Sequence, residues 1–421
     1  MKTKFRQVTS HPLISGSIII FAGSIFANFS NFIFNLFMSR NLSISDYGIL
    51  ASLNSLVLVF ALIAESFVPT IVHFAGSFFA KGEENKIRGL FFQTNKMAIG
   101  MGGAVFLFFL FFSSIISSFF NINNNFLLIL VGIIIFFGFM GSLNRAILQA
   151  KLMFKYLSFT NAFSSAVKLI TGIGLVLLGF RVSGAIFGFL ISFFSIFILV
   201  VIPLRYLIRE KNSSFSIDFK KIISYGAPTA LSLFGLTFFI TTDILLVKHF
   251  FLPKEAGIYA GLSLIGRVIY FLCAPIVTVM FPIIVQKHTR RENYHNTFRL
   301  SLLFVFLPSA ILTSSYFIFP QFIIKLFLKN TDYLQASGLL GYFGIFMTLY
   351  VMLFVFTNFY LSIKKTKVFI PIIFSSFLQA VLIWFFHETF FQVITISLIS
   401  VSLPFAILVV YYVKSYGRKD D

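Results

Sequence analysis

The chain is 421 residues long, 58% hydrophobic and only 11% charged, with 63 phenylalanines. A soluble globular domain carries roughly 25% charged residues, so a water-soluble fold is excluded. The net charge of +20 then belongs to loops at a membrane surface and does not mark a nucleic-acid binder.

A bilayer-spanning helix needs about 20 mostly apolar residues. In chain order such runs cover 13–38, 47–72, 93–119, 126–148, 156–179, 184–207, 222–249, 257–283, 300–328, 334–361, 368–386 and 391–413. The basic start (Lys2, Lys4, Arg6) precedes a first run too long for a signal-peptide core, so this run is expected to remain as a span. The second and ninth runs exceed what a bilayer requires. Cys273, the single cysteine, lies within the eighth run, which excludes an intramolecular disulfide and a cysteine-cluster metal site. The prediction is an all-α integral membrane protein of about twelve transmembrane helices.

Lys and Arg are distributed unevenly between alternate inter-span segments. With the N-terminus inside, 24 of the 33 fall on the inner side, six on the outer side (Arg40, Arg181, Lys248, Lys254, Lys325, Lys329) and three within spans. By the positive-inside rule both termini are cytoplasmic, and a multi-pass protein of the bacterial inner (cytoplasmic) membrane is expected. The longest inter-span segment, 209–221, lies at the midpoint on the inner side and carries Asn212, Ser213 and Ser214. It reads as a cytoplasmic linker joining two six-helix bundles, 1–208 and 222–421.

The two halves echo each other. Tyr47-Gly48-Ile49-Leu50-Ala51-Ser52-Leu53 follows the first run, and Ala256-Gly257-Ile258-Tyr259-Ala260-Gly261-Leu262 follows the seventh, offset by 209. At the same offset Asp46 matches Glu255 in charge and Ser15 falls on Ser224. Six spans per half give a parallel repeat about an axis along the membrane normal, the geometry in which two bundles rock around a site.

The stretch Ser39-Arg40-Asn41-Leu42-Ser43-Ile44-Ser45-Asp46-Tyr47-Gly48, the pair Thr242-Asp243-Ile244-Leu245-Leu246 and Glu255-Ala256-Gly257-Ile258-Tyr259, and Leu148-Gln149-Ala150 followed by Phe154-Lys155-Tyr156 resemble segments of O-antigen flippases (Wzx type). These form a polysaccharide transporter family within the superfamily that also holds multidrug and toxin extrusion (MATE-like, MOP) transporters. Asn41 departs from the family's usual Leu, and no Gly-Pro turn follows. The resemblance implies a MATE/MOP-like fold. It also implies transport of an undecaprenyl-pyrophosphate-linked oligosaccharide, an O-antigen repeat unit for lipopolysaccharide biosynthesis, between leaflets. Membrane lipids and a polysaccharide polymerase with its chain-length machinery would be partners; nucleic acid would not. No cofactor is expected, and a proton or sodium gradient would supply the energy.

Ionisable groups inside spans are costly and mark functional candidates. Lys168 lies about 18 Å, and Arg267 about 15 Å, into the fifth and eighth runs at 1.5 Å per residue. Both are expected to line a central cationic cavity, where Arg267 offers a bidentate fork to phosphate or acidic sugar and Lys168 a point charge. The competing expectation is that each is neutralised by a buried acid such as Glu65 or Asp243. Glu65 would bind a coupling ion or pair with Lys96. Asp243, near the outer end of the seventh run, would serve a gate or interface by pairing with Lys248. Arg40 would meet headgroups or the sugar chain, or simply snorkel.

An enzyme is not expected. No outer segment is long enough for polymerase or ligase chemistry on that face, and no Asp-x-Asp or Gly-rich phosphate loop occurs. The alternatives to a flippase are a multidrug or toxin efflux transporter of the same superfamily, whose cavity would suit cationic cargo, and a membrane-embedded O-antigen polymerase.

Overall fold

The computed structural model describes residues 12–122, 124–207 and 219–416. All the regular structure there is helical: α1 (Pro12–Asn41), α2 (Ile44–Glu65), α3 (Val68–Lys81), α4 (Glu84–Phe119), α5 (Asn125–Ala150), α6 (Phe154–Leu175), α7 (Arg181–Val201), α8 (Phe219–Phe250), α9 (Pro253–Gly266), α10 (Val268–Thr289), α11 (His295–Ile318), α12 (Pro320–Phe327), α13 (Leu340–Ser362), α14 (Phe369–Phe385) and α15 (Phe390–Tyr416). Most of the proposed linker, 209–218, lies outside the described residues.

Ten helical runs among the described residues are long and apolar enough to cross a bilayer. One of them, Phe154–Leu207, is a hairpin of two spans, and α1 adds a 30-residue helix. The described helices therefore account for about twelve spans, as hydropathy predicts. Helices are the economical solution because every backbone group is satisfied within its own segment.

Three of the runs are broken, the over-long ninth dividing at Phe319 into α11 and α12. The second divides at Ser66–Phe67 into α2 and α3, with a proline near the start of α3. The excess length of that run is thus one bent element of 36 residues. The eighth divides at Arg267 into α9 and α10.

The chain forms two compact units, Met1–Phe37 with Phe60–Ala230, and Met38–Val59 with Leu231–Asp421. In the first unit α5 is central and packs on α3, α4, α6 and α7. In the second α13 is central and packs on α9, α10, α11 and α15. Each is the fourth run of its half, and each has 61% of its most apolar window buried. The outer helices keep large apolar side chains exposed, such as Phe111, Leu178 and Phe385, all more than 70% exposed. That surface suits hydrocarbon.

The α6–α7 hairpin shows how small residues set the packing. Gly179 takes φ 94° and turns the chain. A Cβ on Gly188 would lie 2.7 Å from the Gly172 Cα, and one on Gly184 would lie 2.9 Å from the Leu175 carbonyl carbon. Lower down, the Ser192 hydroxyl donates to the Ser164 carbonyl at 2.9 Å. Without a hydrophobic force between helices in lipid, such close backbone approach is what holds them together.

Candidate functional site

In the first unit Lys168 is buried on α6. Its ammonium donates to the Asn31 side-chain oxygen on α1. It also lies 5.0 Å from the ring centre of Phe34 and 4.6 Å from that of Phe189, and the two rings meet edge to face at 5.4 Å. The expectation of an ammonium open to cargo, or neutralised by a buried acid, gives way to an aromatic cage with one amide acceptor. A desolvated cation over ring faces gains on the order of 2 kcal/mol, which offsets part of the cost of burying it. The cage residues come from α1 and α7, beyond the reach of any local pattern around Lys168. The polar Asn31 inside an apolar run was the available signal.

Glu65 is the last residue of α2 and is exposed. The Ser142 hydroxyl donates to its Oε1 at 2.5 Å, and Arg145 lies within its electrostatic reach. The anticipated Glu65–Lys96 ion pair is replaced by this α5 pairing. The helix break brings Glu65 to α5, while Lys96 is exposed on α4. Arg145, near the end of the fourth apolar run, lies within α5. Beside it Asn95 and Asn144 exchange amide hydrogen bonds of 3.1 and 2.9 Å.

The second unit holds the other intramembrane charges. Asp243 on α8 is fully buried. Tyr259 of α9 donates its hydroxyl to the Asp243 Oδ2 at 2.8 Å, a partner that the expected pairing with Lys248 did not include. The Asp243 Oδ1 is buried without a hydrogen-bond partner. Arg267 stands at the α9–α10 break, where its Nη2 donates to the Ile240 carbonyl of α8. Its Nε is buried with no partner. The guanidinium charge acts on Asp243 and on Tyr259, Tyr270 and Tyr350. Tyr270 in turn packs at 5.7 Å from both Tyr350 and Phe354. A partly buried guanidinium with a donor to spare beside an aromatic wall can clamp an anionic oxygen.

Arg40 is exposed at the end of α1 and caps α12. Its Nε donates to the Phe327 carbonyl at 2.8 Å, and its Nη2 donates to the Leu326 carbonyl. A cation at a helix C-terminus satisfies otherwise unpaired carbonyls and meets the negative end of the helix dipole. Nearby, Lys254 pairs with Asp332 at 2.8 Å.

Residues 37–331 match a family described as polysaccharide biosynthesis protein. The chain belongs to that family. The family resemblance read from the Arg40–Gly48 and Glu255–Tyr259 stretches therefore holds. Among solved structures, an inward-facing multidrug resistance MATE family transporter of the MOP superfamily is similar at TM-score 0.74. It is 12% identical and covers 96% of this chain and 100% of its own. The lipid II flippase MurJ in an inward closed conformation is similar at TM-score 0.65 with 18% identity, over 95% of this chain and 87% of its own. A MATE protein in a straight conformation reaches TM-score 0.65 at 14% identity, with 95% of each chain covered. At these identities the likeness is one of fold. No curated protein matches the chain. Family and fold together make the chain a multi-pass membrane protein with a MATE-like architecture.

Proposed function

We propose that the chain is a flippase that carries an undecaprenyl-pyrophosphate-linked oligosaccharide across the bacterial inner membrane by alternating access, with no enzymatic step of its own. The observation that carries this reading is Arg267. It is a guanidinium at a helix break inside a span, with a buried Nε free to donate, in a chain of the polysaccharide biosynthesis family. A pyrophosphate offers that fork the paired anionic oxygens it fits. Two six-helix halves, 1–208 and 222–421, are supported by the matching central helices α5 and α13, and cytoplasmic termini by the charge bias. Coupling to a proton or sodium gradient is part of the same reading. In this reading Glu65 is the carboxylate that takes the ion, and Asp243 serves the gate.

A strain lacking the chain tests the proposal. The expected result is loss of surface polysaccharide, with the lipid-linked oligosaccharide trapped on the inner leaflet, and recovery by the wild-type chain but not by Arg267→Ala. Intermediates already on the outer leaflet would instead indicate a polymerase. The MATE-like fold also supports drug efflux as a second reading. Unchanged polysaccharide with altered drug sensitivity would favour it.

A further inference from the structure

Gly48 and Gly257, which match at the 209-residue offset, touch in the second unit. A Cβ on Gly48 would lie 2.9 Å from the Gly257 nitrogen and 3.0 Å from its Cα. A Cβ on Gly257 would lie 1.9 Å from the Ile44 carbonyl oxygen and 2.5 Å from its carbon. The first turn of α2 and the first turn of α9 are therefore packed backbone on backbone, with a glycine hydrogen aimed at the Ile44 carbonyl. Such Cα–H···O contacts recur where helices approach closely.

Both turns are stiffened at matching positions. The Ser43 hydroxyl accepts the Asp46 N–H at 3.1 Å, and the Glu255 carboxylate accepts the Leu252 N–H at 3.0 Å. These are the two halves of a capping box, one half used in each repeat. Around them Ile44, Tyr47, Ala256, Ile258 and Tyr259 are buried, each less than 7% exposed. The site is dry, and it closes where α1 turns into α2, the face that the charge bias places outside. Residues 38–59 come from the first half of the sequence yet pack in the second unit.

We infer that this glycine-to-glycine contact is the outer seal of the transport path, and that residues 38–59 leave α9 in each cycle to open it. The inference rests on the alternating-access reading. Interlocked side chains would have to disengage one by one as the seal opens. Two bare backbones separate in one movement and re-form the same dry joint. The anchors beside the joint, Arg40 on the α12 carbonyls and Lys254 on Asp332, are exposed. An exposed ion pair such as Lys254–Asp332 contributes little, and exposed donors such as Arg40 exchange readily with water.

The test uses the full chain in its native membrane, with Cys273→Ser and a reporter thiol from Tyr47→Cys. A membrane-impermeant maleimide applied from outside reads whether the buried position opens. The expected result is slow labelling with both glycines intact, a rise of at least fivefold with Gly257→Ala, and a smaller rise with Gly48→Ala, because the Gly257 approach is the tighter of the two. Gly235→Ala is the control. Its Cβ would press on Ile372 of α14 at 2.7 Å, in the same unit but against no residue of the joint, and it should leave the rate unchanged. Equal rises in all three variants, or no rise in the two joint variants at normal membrane levels, would overturn the seal. Labelling needs no cargo, so a failed seal is told apart from a failed flippase reading, which polysaccharide display reports separately.

Discussion

The side-chain oxygen of Asn31 accepts the ammonium of Lys168, 137 residues later in the chain, and thereby ties the first span to the fifth through a single neutral acceptor. Taking away that acceptor strands a buried donor, which costs about 1–3 kcal/mol. Asn31→Leu should therefore lower thermal stability in detergent by that amount, and Lys168→Met in the same background should restore most of it. A Lys168→Met chain that is stable but fails to support polysaccharide display would show the cation working in transport; full display would show a purely structural tie.

Arg267→Lys is expected to fail nearly as badly as Arg267→Ala. The ammonium cannot reproduce the planar fork or hold both the Ile240 carbonyl and an incoming anion. Display should drop at least tenfold for both, with normal protein levels in the membrane. Wild-type display in the lysine variant would show that only charge matters there.

Tyr259→Phe removes the phenol that donates to the Asp243 Oδ2, beside an Oδ1 that already lacks a partner. The expected loss is about 1–3 kcal/mol, read as a lower melting temperature. Adding Asp243→Asn to the Tyr259→Phe chain should recover part of it, because a neutral amide is cheaper to bury than a carboxylate.

Glycines divide by what surrounds them. Gly188→Ala drives a methyl into the α6 backbone and should separate the hairpin, at a cost of about 1–3 kcal/mol. At Gly100 and Gly103 in α4 an added Cβ would meet nothing within 4 Å. Alanine at either should be neutral or stabilise by about 0.5–1 kcal/mol. Thermal scans of the three variants side by side check the contrast.

Hydropathy made the spans legible, because bilayer thickness sets a length that any apolar run must meet. It could not show the breaks at Ser66–Phe67 and Arg267, since a bent run has the same apolar content as a straight one. Charge position alone marked Lys168 and Arg267 as intramembrane cations. Their surroundings were not legible, because Phe34, Phe189, Tyr259 and Ile240 come from other helices and are ordinary apolar-run residues. Arg145 near Glu65 was hidden for a related reason: the two residues come from different helices, α2 and α5. The Gly48 and Gly257 echo was visible as a repeat, but only backbone proximity gives the two glycines a common task.

The hairpin turn at Gly179 bears on how the chain enters the membrane in the first place. Between Lys168 and Arg205 the only ionisable residue is Arg181, placed just past the turn. A pair of helices joined this tightly can leave the translocon together, already zipped along Gly172, Gly184 and Gly188. Only one charge then has to be carried over to the far side. Biogenesis of this stretch is thus predicted to need no outside help in fixing its topology, and added positive charge at the turn would be the change that holds it back.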